Sequence, residues 1–296
     1  MFRIYQYRKE LEELLDFKEI PERIICGLSW TEGPVWDNRE GSLYFTDFPS
    51  NRIYRWSKSD GLHIFREHSD SACGLAFDQK GRLLCAEAVS RSVTRLERNG
   101  HISILAQKWK GKYLNSPNDI IVKSDGSIYF TDPYSPDVGN KKETKENGIY
   151  RISQQGEVKL LADMNRPNGL TFSPDEKYLY IDDTNEQLIR RFQLKEDGTL
   201  TDMGIFAKME DSWGNGAADG MKADEKGNLF VTGPGGITIW NPLGKVMGRI
   251  EFPEIAANLC FGGKNRRQLF VTAQTSVYVL RVKTKGAADS SQRLWG

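Results

Sequence analysis

Short apolar runs alternate with polar turns along most of the chain, and this alternation repeats. Six segments share one pattern: an apolar run, a turn rich in Asp, Gly, Lys or Asn, and a second apolar run of the type LYFTD. A third run follows each of them, and a fourth follows most. The segments begin, 41, 45, 50, 51 and 39 residues apart, at Glu32, Cys73, Asn118, Asn168, Asp219 and Asn258. Four short strands repeated every ~40–50 residues are typical of β-propeller blades.

The repeat therefore predicts an all-β fold, a six-bladed β-propeller with four-stranded blades. The sixth segment ends after its third run, whereas the strand-like stretch ERIICGL at 22–28 precedes the first segment. We expect this N-terminal strand to close the ring, because an incomplete blade would expose an open edge. No linker is evident, so 1–296 is predicted to be a single domain. Residues 1–21 are an extension with a short outer helix, and residues 284–296 are a loose tail.

Composition narrows the class of protein. A net charge of +1 with 27% charged residues gives no basic field for nucleic acid. No apolar run reaches the ~18 residues of a membrane span, and the charged start lacks the apolar region of a signal peptide. The four scattered cysteines indicate reduced, buried thiols. We therefore expect a cytoplasmic protein, a monomer or weak homodimer, without nucleic-acid or membrane partners.

The candidate chemistry lies at the first residue of each segment, here called the corner. Innermost strands of a propeller line a central channel, so the six corners should meet near one end of its axis. Five corners have side-chain oxygens: Glu32, Asn118, Asn168, Asp219 and Asn258. Crowded carboxylates repel each other unless a cation lies between them. Hard oxygen ligands favour calcium, or else magnesium or manganese.

Each corner also has a plain structural interpretation. Asn and Asp before Gly are common turn formers; we expect Asn258 to be structural and Cys73 to be a buried small apolar residue. The segment at 137–148 is either a solvated excursion or a lid over the channel mouth. Three aspartates that end second runs are expected to bind turns: Asp47, Asp132 and Asp182.

The stretches EGPVWD, LNSPNDIIVKSDGSIYFTDP, RPNGLTFSPDEKYLYIDDT and DGMKADEKGNLFVTGPGGI are the basis of a resemblance. Over roughly residues 22–283 the chain resembles the senescence-marker-protein, regucalcin and gluconolactonase family of six-bladed propellers, particularly its bacterial gluconolactonase branch. The resemblance implies that a metal is held by Glu32, Asn168 and Asp219. It also implies that Asn118 contacts the substrate or a metal-bound water. Ser116 occupies a substrate-contact position where the regucalcin branch has an Arg.

The chain departs from the family pattern in blade two. The family usually has an Asn where Cys73 stands, and often a His where this chain has Ala88. Neither departure removes an implied metal ligand. Both affect the channel mouth, so they bear on the substrate more than on the reaction class.

Three hypotheses follow. The first is a divalent-metal-dependent hydrolase that opens a sugar lactone by attack of a metal-polarised water on the ester carbonyl. It would use one divalent cation, calcium, with magnesium, manganese or zinc as alternatives. Asp219 would also accept the proton of the attacking water, Asn118 would orient the small-molecule lactone, and Asp119 would support Asn118 from behind. The second hypothesis is a phosphotriesterase-like hydrolase with the same metal site, and the third is a non-catalytic calcium-binding or interaction propeller.

Overall fold

The structure is a computed structural model that describes residues 2–290, and its architecture is all-β. Two strands come before the first blade, β1 (Arg3–Gln6) and β2 (Glu22–Ile25), with a 3-10 helix over Lys9–Glu13 between them. Six antiparallel sheets then follow around a ring. The predicted six-bladed β-propeller is confirmed.

The first three blades follow the predicted segments closely. Blade one contains β3 (Thr31–Asp37), β4 (Ser42–Asp47), β5 (Arg52–Ser57) and β6 (Gly61–Glu67). Blade two contains β7 (Ala72–Phe77), β8 (Leu83–Glu87), β9 (Ser92–Leu96) and β10 (Ile102–Ala106). A hairpin of β11 (Lys108–Trp109) and β12 (Lys112–Tyr113) follows. Blade three contains β13 (Ile120–Val122), β14 (Ile128–Asp132), β15 (Gly148–Ile152) and β16 (Val158–Asp163), with a 3-10 helix at Pro136–Val138.

The last three blades complete the ring. Blade four contains β17 (Pro167–Phe172), β18 (Tyr178–Asp183), β19 (Leu188–Leu194) and β20 (Leu200–Lys208), followed by a 3-10 helix at Asp211–Trp213. Blade five contains β21 (Met221–Ala223), β22 (Leu229–Gly233), β23 (Gly236–Trp240) and β24 (Val246–Glu251). Blade six contains β25 (Ala256–Gly262), β26 (Gln268–Ala273) and β27 (Ser276–Arg281).

Ring closure follows the prediction. β2 pairs with β27 in antiparallel register, with Glu22 opposite Val279, and supplies the outer strand of blade six. The N-terminal and C-terminal parts of the chain therefore share one sheet. Aromatic packing also joins blade six to blade one: the rings of Trp36 and Phe270 stack with centroids 5.0 Å apart, an arrangement that contributes about 1 kcal/mol beyond the area it buries.

The N-terminal extension differs from the predicted outer helix. β1 pairs with β24, with Arg3 opposite Glu251, so blade five has a fifth strand. The short segment after it is a 3-10 helix rather than an α-helix, and Leu11, Leu14 and Leu15 are buried between blades five and six. The extension thus covers an open sheet edge and an apolar seam, which is why it is ordered by tertiary contacts and not by helix periodicity.

The predicted loose tail is wrong for residues 284–290. The hydroxyl of Thr284 donates to Asp224 Oδ2 at 2.7 Å, and the amide of Ala287 donates to the carbonyl of Ala223 at 3.0 Å. The hydroxyl of Ser290 reaches the carbonyl of Phe77 at 3.2 Å. Through these bonds the segment crosses the end of the channel opposite the corners. There it donates hydrogen bonds to backbone carbonyls of innermost strands that would otherwise lack a partner. Residues 291–296 lie outside the described part of the chain.

All four cysteines are free thiols. Cys73, Cys85 and Cys260 are buried as predicted, but Cys26 is exposed. Cys26 directly follows β2, where the chain leaves the sheet. Over residues 2–290, no helix has both the length and the apolar character needed to cross a membrane.

Candidate metal and active site

The corner residues lie at the starts of the innermost strands, where the strands are irregular. Glu32 lies in β3 with a register shift between it and Val35, and Asn168 lies in β17 with a shift between Pro167 and Leu170. Asp219 comes two residues before β21. Such irregularities redirect side chains at the ends of strands, and here they turn each corner towards the channel.

Glycines after the corners let neighbouring blades approach closely. A Cβ atom on Gly33 would lie 1.9 Å from the carbonyl oxygen of Cys73 in the next blade. A Cβ atom on Gly169 would lie 2.0 Å from the carbonyl oxygen of Asp219. Gly33 has a φ of +49°, which a side chain disfavours as well. The backbone therefore brings corners of successive blades together only because no side chain separates them.

Glu32 is a buried carboxylate, with 5% of its surface exposed. Its Oε1 accepts a hydrogen bond from Trp30 Nε1 at 3.2 Å, and its Oε2 accepts one from the Gly33 amide at 3.3 Å. Burial, with a smaller contribution from the charge of Asp119, raises the pKa of Glu32 to about 7, although Trp30, Gly33 and the side chain of Asn258 act to lower it. A carboxylate in this environment gains from any nearby cation.

Asp219, on blade five, has a similar environment. Burial raises the pKa of Asp219 well above its usual range, and the negative charges of Glu32, Asp182 and Asp119 raise it further. The nearby side-chain amide of Asn168, whose Nδ2 donates to Thr184 Oγ1 at 3.1 Å, acts in the opposite direction. The structure thus brings Glu32, Asn168 and Asp219 of blades one, four and five into one electrostatically linked group.

The predicted substrate-binding residues lie on blade three. Ser116 is buried, and its hydroxyl has no hydrogen-bond partner within residues 2–290. Buried polar atoms are rarely left unpaired, so this hydroxyl is available to a ligand. The backbone of Asn118 is fixed by its amide donating to Thr131 O at 2.9 Å and its carbonyl accepting from the Gly74 amide at 2.6 Å, and no side-chain bond of Asn118 is formed within the described residues.

Asp119 joins blade three to blade four. Its Oδ1 accepts from the Ile120 amide at 2.8 Å, and its Oδ2 accepts from the Leu170 amide at 3.3 Å. Leu170 follows Asn168 by two residues, so Asp119 fixes the strand that presents Asn168. Support of Asn118 from behind, the role expected from the sequence, stays a prediction.

The aspartates at the ends of second strands divide into two kinds. Asp47 accepts from the Trp30 amide at 2.8 Å and Asp132 from the Asn115 amide at 2.8 Å, so both bind turns as predicted. In blade four, Asp183 takes this role by accepting from the Arg166 amide at 3.0 Å. The turn-binding assignment of Asp182 is therefore wrong, because the doubled aspartate in YIDD shifted the alignment by one residue.

Asp182 instead occupies a position where other blades have threonine. Thr131 donates from its hydroxyl to the carbonyl of Asn168 at 2.7 Å, and Thr46 does so to Cys73 at 3.1 Å. Asp182 Oδ1 accepts from the Gly169 amide at 3.1 Å, whereas its Oδ2 is buried without a partner in the described residues. Burial raises the pKa of Asp182 well above its usual range. Another buried carboxyl group therefore adjoins the corners.

The segment at 137–148 is held against blade two. Asn140 Nδ2 donates to the carbonyl of Ala88 at 2.9 Å, and Arg91 Nη1 pairs with Glu143 Oε1 at 3.1 Å. Ala88 directly follows β8, at the end of the blade where the corners lie. The segment is therefore fixed on the corner face rather than freely solvated, and its use as a lid stays a prediction.

Comparison with known proteins places this architecture in a family. The sequence profile of the SMP-30/Gluconolactonase/LRE-like region matches residues 30–275. The chain belongs to the SMP-30/gluconolactonase family. It is 32% identical to a gluconolactonase of Zymomonas mobilis, in an alignment covering 96% of this chain and 87% of that protein. It is 25% identical to a pentonolactonase of Haloferax volcanii, over 81% of this chain and 80% of that protein.

A solved structure shows the same likeness in three dimensions. A gluconolactonase from Xanthomonas campestris superimposes with a TM-score of 0.88 at 29% identity, covering 95% of both chains. Family membership, the propeller fold and the names of these relatives together support lactone hydrolysis as the general activity.

The ligand atoms available at the corners determine which kind of metal ion could bind there. No group of three or more His, Cys, Asp or Glu residues between residues 2 and 290 is placed to hold a metal ion. A metal at the corners would therefore depend on two carboxylates, Glu32 and Asp219, together with amide oxygens such as that of Asn168. Carboxylate and amide oxygens are ligands of hard cations, and the repulsion between the two buried carboxylates is relieved by a positive charge. The residues present fit a hard divalent cation.

Two residues of this site were not identified from the sequence. Trp30 precedes its blade's corner by two residues, and only the fold shows its indole N–H bonded to Glu32. Lys222 lies in β21, and its positive charge lowers the pKa values of Asp119 and Asp182. In the sequence, Lys222 could have been recognised as a charged residue in a predicted innermost strand, three positions after a corner.

Proposed function

We propose that this protein is a divalent-metal-dependent lactonase that opens a sugar lactone. The observation behind the proposal is the linked group of Glu32, Asn168 and Asp219, in which buried carboxylates have raised pKa values and form no ion pair with Lys or Arg within residues 2–290. Calcium is the proposed cation because all three side chains offer oxygen. The lactonase names of the relatives support the reaction class.

The cation would be held by Glu32, Asn168 and Asp219, and when bound it would supply a Lewis acid for the ester carbonyl. Trp30 holds Glu32 in place through its indole N–H. Asn118 and the unpartnered hydroxyl of Ser116 would bind the hydroxyl groups of the sugar ring and fix its orientation. These contacts leave the carbonyl carbon of the lactone open to water.

Asp219 would act as the general base. Its carboxylate accepts a proton as water adds to the carbonyl carbon, and it returns the proton to the ring oxygen when the C–O bond breaks. The products are then the open-chain hydroxy acid, and no atom is lost or gained beyond one water. Burial and the neighbouring carboxylates raise the pKa of Asp219 in the metal-free site, and a bound cation would lower it again, which would keep the carboxylate ionised and able to accept the proton.

The test is hydrolysis of a sugar-lactone panel, led by glucono-1,5-lactone, followed by pH-stat. Metal-free protein is assayed alone and then with calcium, magnesium, manganese or zinc. The expected result is turnover above the spontaneous rate that depends on the cation. Asp219→Ala and Glu32→Ala should lose at least ~100-fold in kcat/KM, whereas Asp175→Ala, in an exposed turn, should not change it.

Full turnover by the Asp219 and Glu32 variants would overturn the site assignment. A silent lactone panel would overturn the reaction class. An organophosphate panel run in parallel then separates a phosphotriesterase-like hydrolase from a calcium-binding propeller that hydrolyses neither substrate class.

A further inference from the structure

A second ring of side chains lies one step deeper in the channel than the corners. The residue three positions after each corner lines a single cavity of about 110 Å³. Five of these residues are uncharged and one is a lysine: Val35, Ala76, Ile121, Thr171, Lys222 and Phe261. One cation therefore lies in an otherwise neutral ring, three residues after Asp219 and within β21.

The residues around Lys222 do not neutralise its charge through an ion pair within residues 2–290. Its ammonium donates to the carbonyl of Met221 at 2.9 Å and forms no ion pair within the described residues. Glu176, which also lines the cavity, pairs with Lys123 at 3.5 Å. Asp289, the remaining acidic residue of the cavity wall, belongs to the C-terminal segment that closes the far end.

The corner side of Lys222 is strongly acidic. Glu32, Asp119, Asp182 and Asp219 are all buried there and lack an ion pair with Lys or Arg in the part of the chain that the structure describes. Removing carboxylates from water is costly, and without a counter-charge their mutual repulsion adds to that cost. Lys222 is the basic side chain of the innermost strands, and its charge acts on two of these carboxylates, Asp119 and Asp182.

We propose that Lys222 is the resident counter-charge of the carboxylate group, and that it sets how tightly the corners bind a divalent cation. This inference rests on the proposed metal site. In the metal-free protein the ammonium offsets part of the carboxylate repulsion. When a cation occupies the corners, the same ammonium repels it, so Lys222 lowers the affinity while it stabilises the empty site. Lys222 is thus a positioning residue that acts through charge and not through contact with substrate.

Three variants separate charge from shape. Lys222→Met removes the charge and keeps an unbranched chain, Lys222→Gln removes the charge and keeps a polar end, and Lys222→Arg keeps the charge. Lys58→Met is the matched control, because Lys58 is exposed in the turn between β5 and β6. Calcium affinity is measured by isothermal titration calorimetry, and unfolding of the metal-free and calcium-loaded proteins is measured by circular dichroism.

The expected result is calcium binding about tenfold tighter for Lys222→Met and Lys222→Gln than for wild type, since the like charge is gone. The same variants should unfold at lower temperature than wild type without metal and gain more on adding calcium. Lys222→Arg and Lys58→Met should match wild type within about twofold. If one uncharged variant does not fold, the other still decides.

Three outcomes would overturn the inference, each for a different reason. Unchanged affinity and unchanged metal-free stability in both uncharged variants would reject the role of Lys222 while leaving the proposed function in place. An affinity gain of the same size in Lys222→Arg would show that shape rather than charge is responsible. Absence of calcium binding by wild type itself would reject the metal site and with it the lactonase mechanism.

Discussion

The Cα atom of Gly169 faces the carbonyl oxygen of Asp219 so closely that a Cβ atom would lie 2.0 Å from it. The obstacle is backbone, which cannot rotate away as a side chain can. Gly169→Ala should therefore push blades four and five apart, lower the free energy of unfolding by about 3 kcal/mol, and weaken calcium binding. Urea unfolding and calorimetric titration measure the two effects.

Gly156→Ala is the control for this substitution. Gly156 has a φ of +84°, and a Cβ atom added to it would have no atom within 4 Å, so the substitution causes backbone strain without a steric clash. That strain amounts to about 1 kcal/mol, and calcium binding should not change. Equal losses of stability in both variants, or intact calcium affinity in Gly169→Ala, would contradict the role of the close approach.

The blade repeat was readable in the sequence because it depends on local pattern. Runs such as LYFTD and the turns between them recur at nearly fixed spacing, and closure by β2 follows from the missing fourth strand of blade six. The N-terminal β1 and the segment at 284–290 were mispredicted. Both are ordered by partners more than 60 residues away or in another blade, such as Glu251 for Arg3 and Phe77 for Ser290, and local periodicity does not encode such pairings.

The candidate site was predicted to the extent that symmetry defines it. Superposing the repeats brings out six corners in one register, and the family resemblance selects Glu32, Asn168 and Asp219 among them. Asp182 was misassigned because two adjacent aspartates fit the same turn. Lys222 was missed because the two carboxylates whose pKa values its charge lowers, Asp119 and Asp182, come from other blades.

The pH dependence of the metal-free protein is expected to depend on Glu32. Burial raises its pKa from 4.5 to about 7 in the folded protein, so the folded state binds this proton more tightly than the unfolded chain. The stability that depends on it is fully present below about pH 4.5 and is lost as the pH rises through about 7. The loss amounts to about 3 kcal/mol at most.

Glu32→Gln removes this titration. In metal-free protein, urea unfolding at pH 5 and pH 8 should show a larger drop for wild type than for Glu32→Gln, and calcium should reduce the wild-type drop. Asp219 and Asp182 still titrate in the variant, so some decline remains. Identical declines in the two proteins would contradict the raised pKa of Glu32.

Asp182→Thr should stabilise the metal-free protein. A threonine hydroxyl at this position donates to the next blade's corner carbonyl in blades one and three, whereas Asp182 leaves one buried oxygen unpaired. Because the pKa of Asp182 is raised, its cost appears only above the pH at which the unfolded carboxyl ionises. The gain should be about 1–3 kcal/mol at pH 8 and smaller at pH 4.

Asp183→Thr is the contrasting variant. Asp183 accepts hydrogen bonds from the amides of Arg166, Asn185 and Glu186 at 3.0, 3.0 and 3.1 Å, so its loss should destabilise. A gain from Asp182→Thr that is equal at both pH values would show that ionisation is not its source.

Thiol reactivity reports on the state of the channel. Burial raises the pKa of Cys73 well above its usual range, as do the charges of Glu32 and Asp219, and burial raises that of Cys85 to about 12. Because the thiolate is the reactive form, these thiols should be inert in the folded protein. The buried Cys260 should also be inert, whereas the exposed Cys26 should react.

Ellman's reagent at pH 8 should therefore react rapidly with about one thiol per molecule of native protein and with four after unfolding. Cys26→Ser should remove the rapid phase. A second rapid equivalent that Cys73→Ser removes would mean that the corners open to solvent around Cys73, which would contradict the raised pKa values of the buried carboxylates beside it.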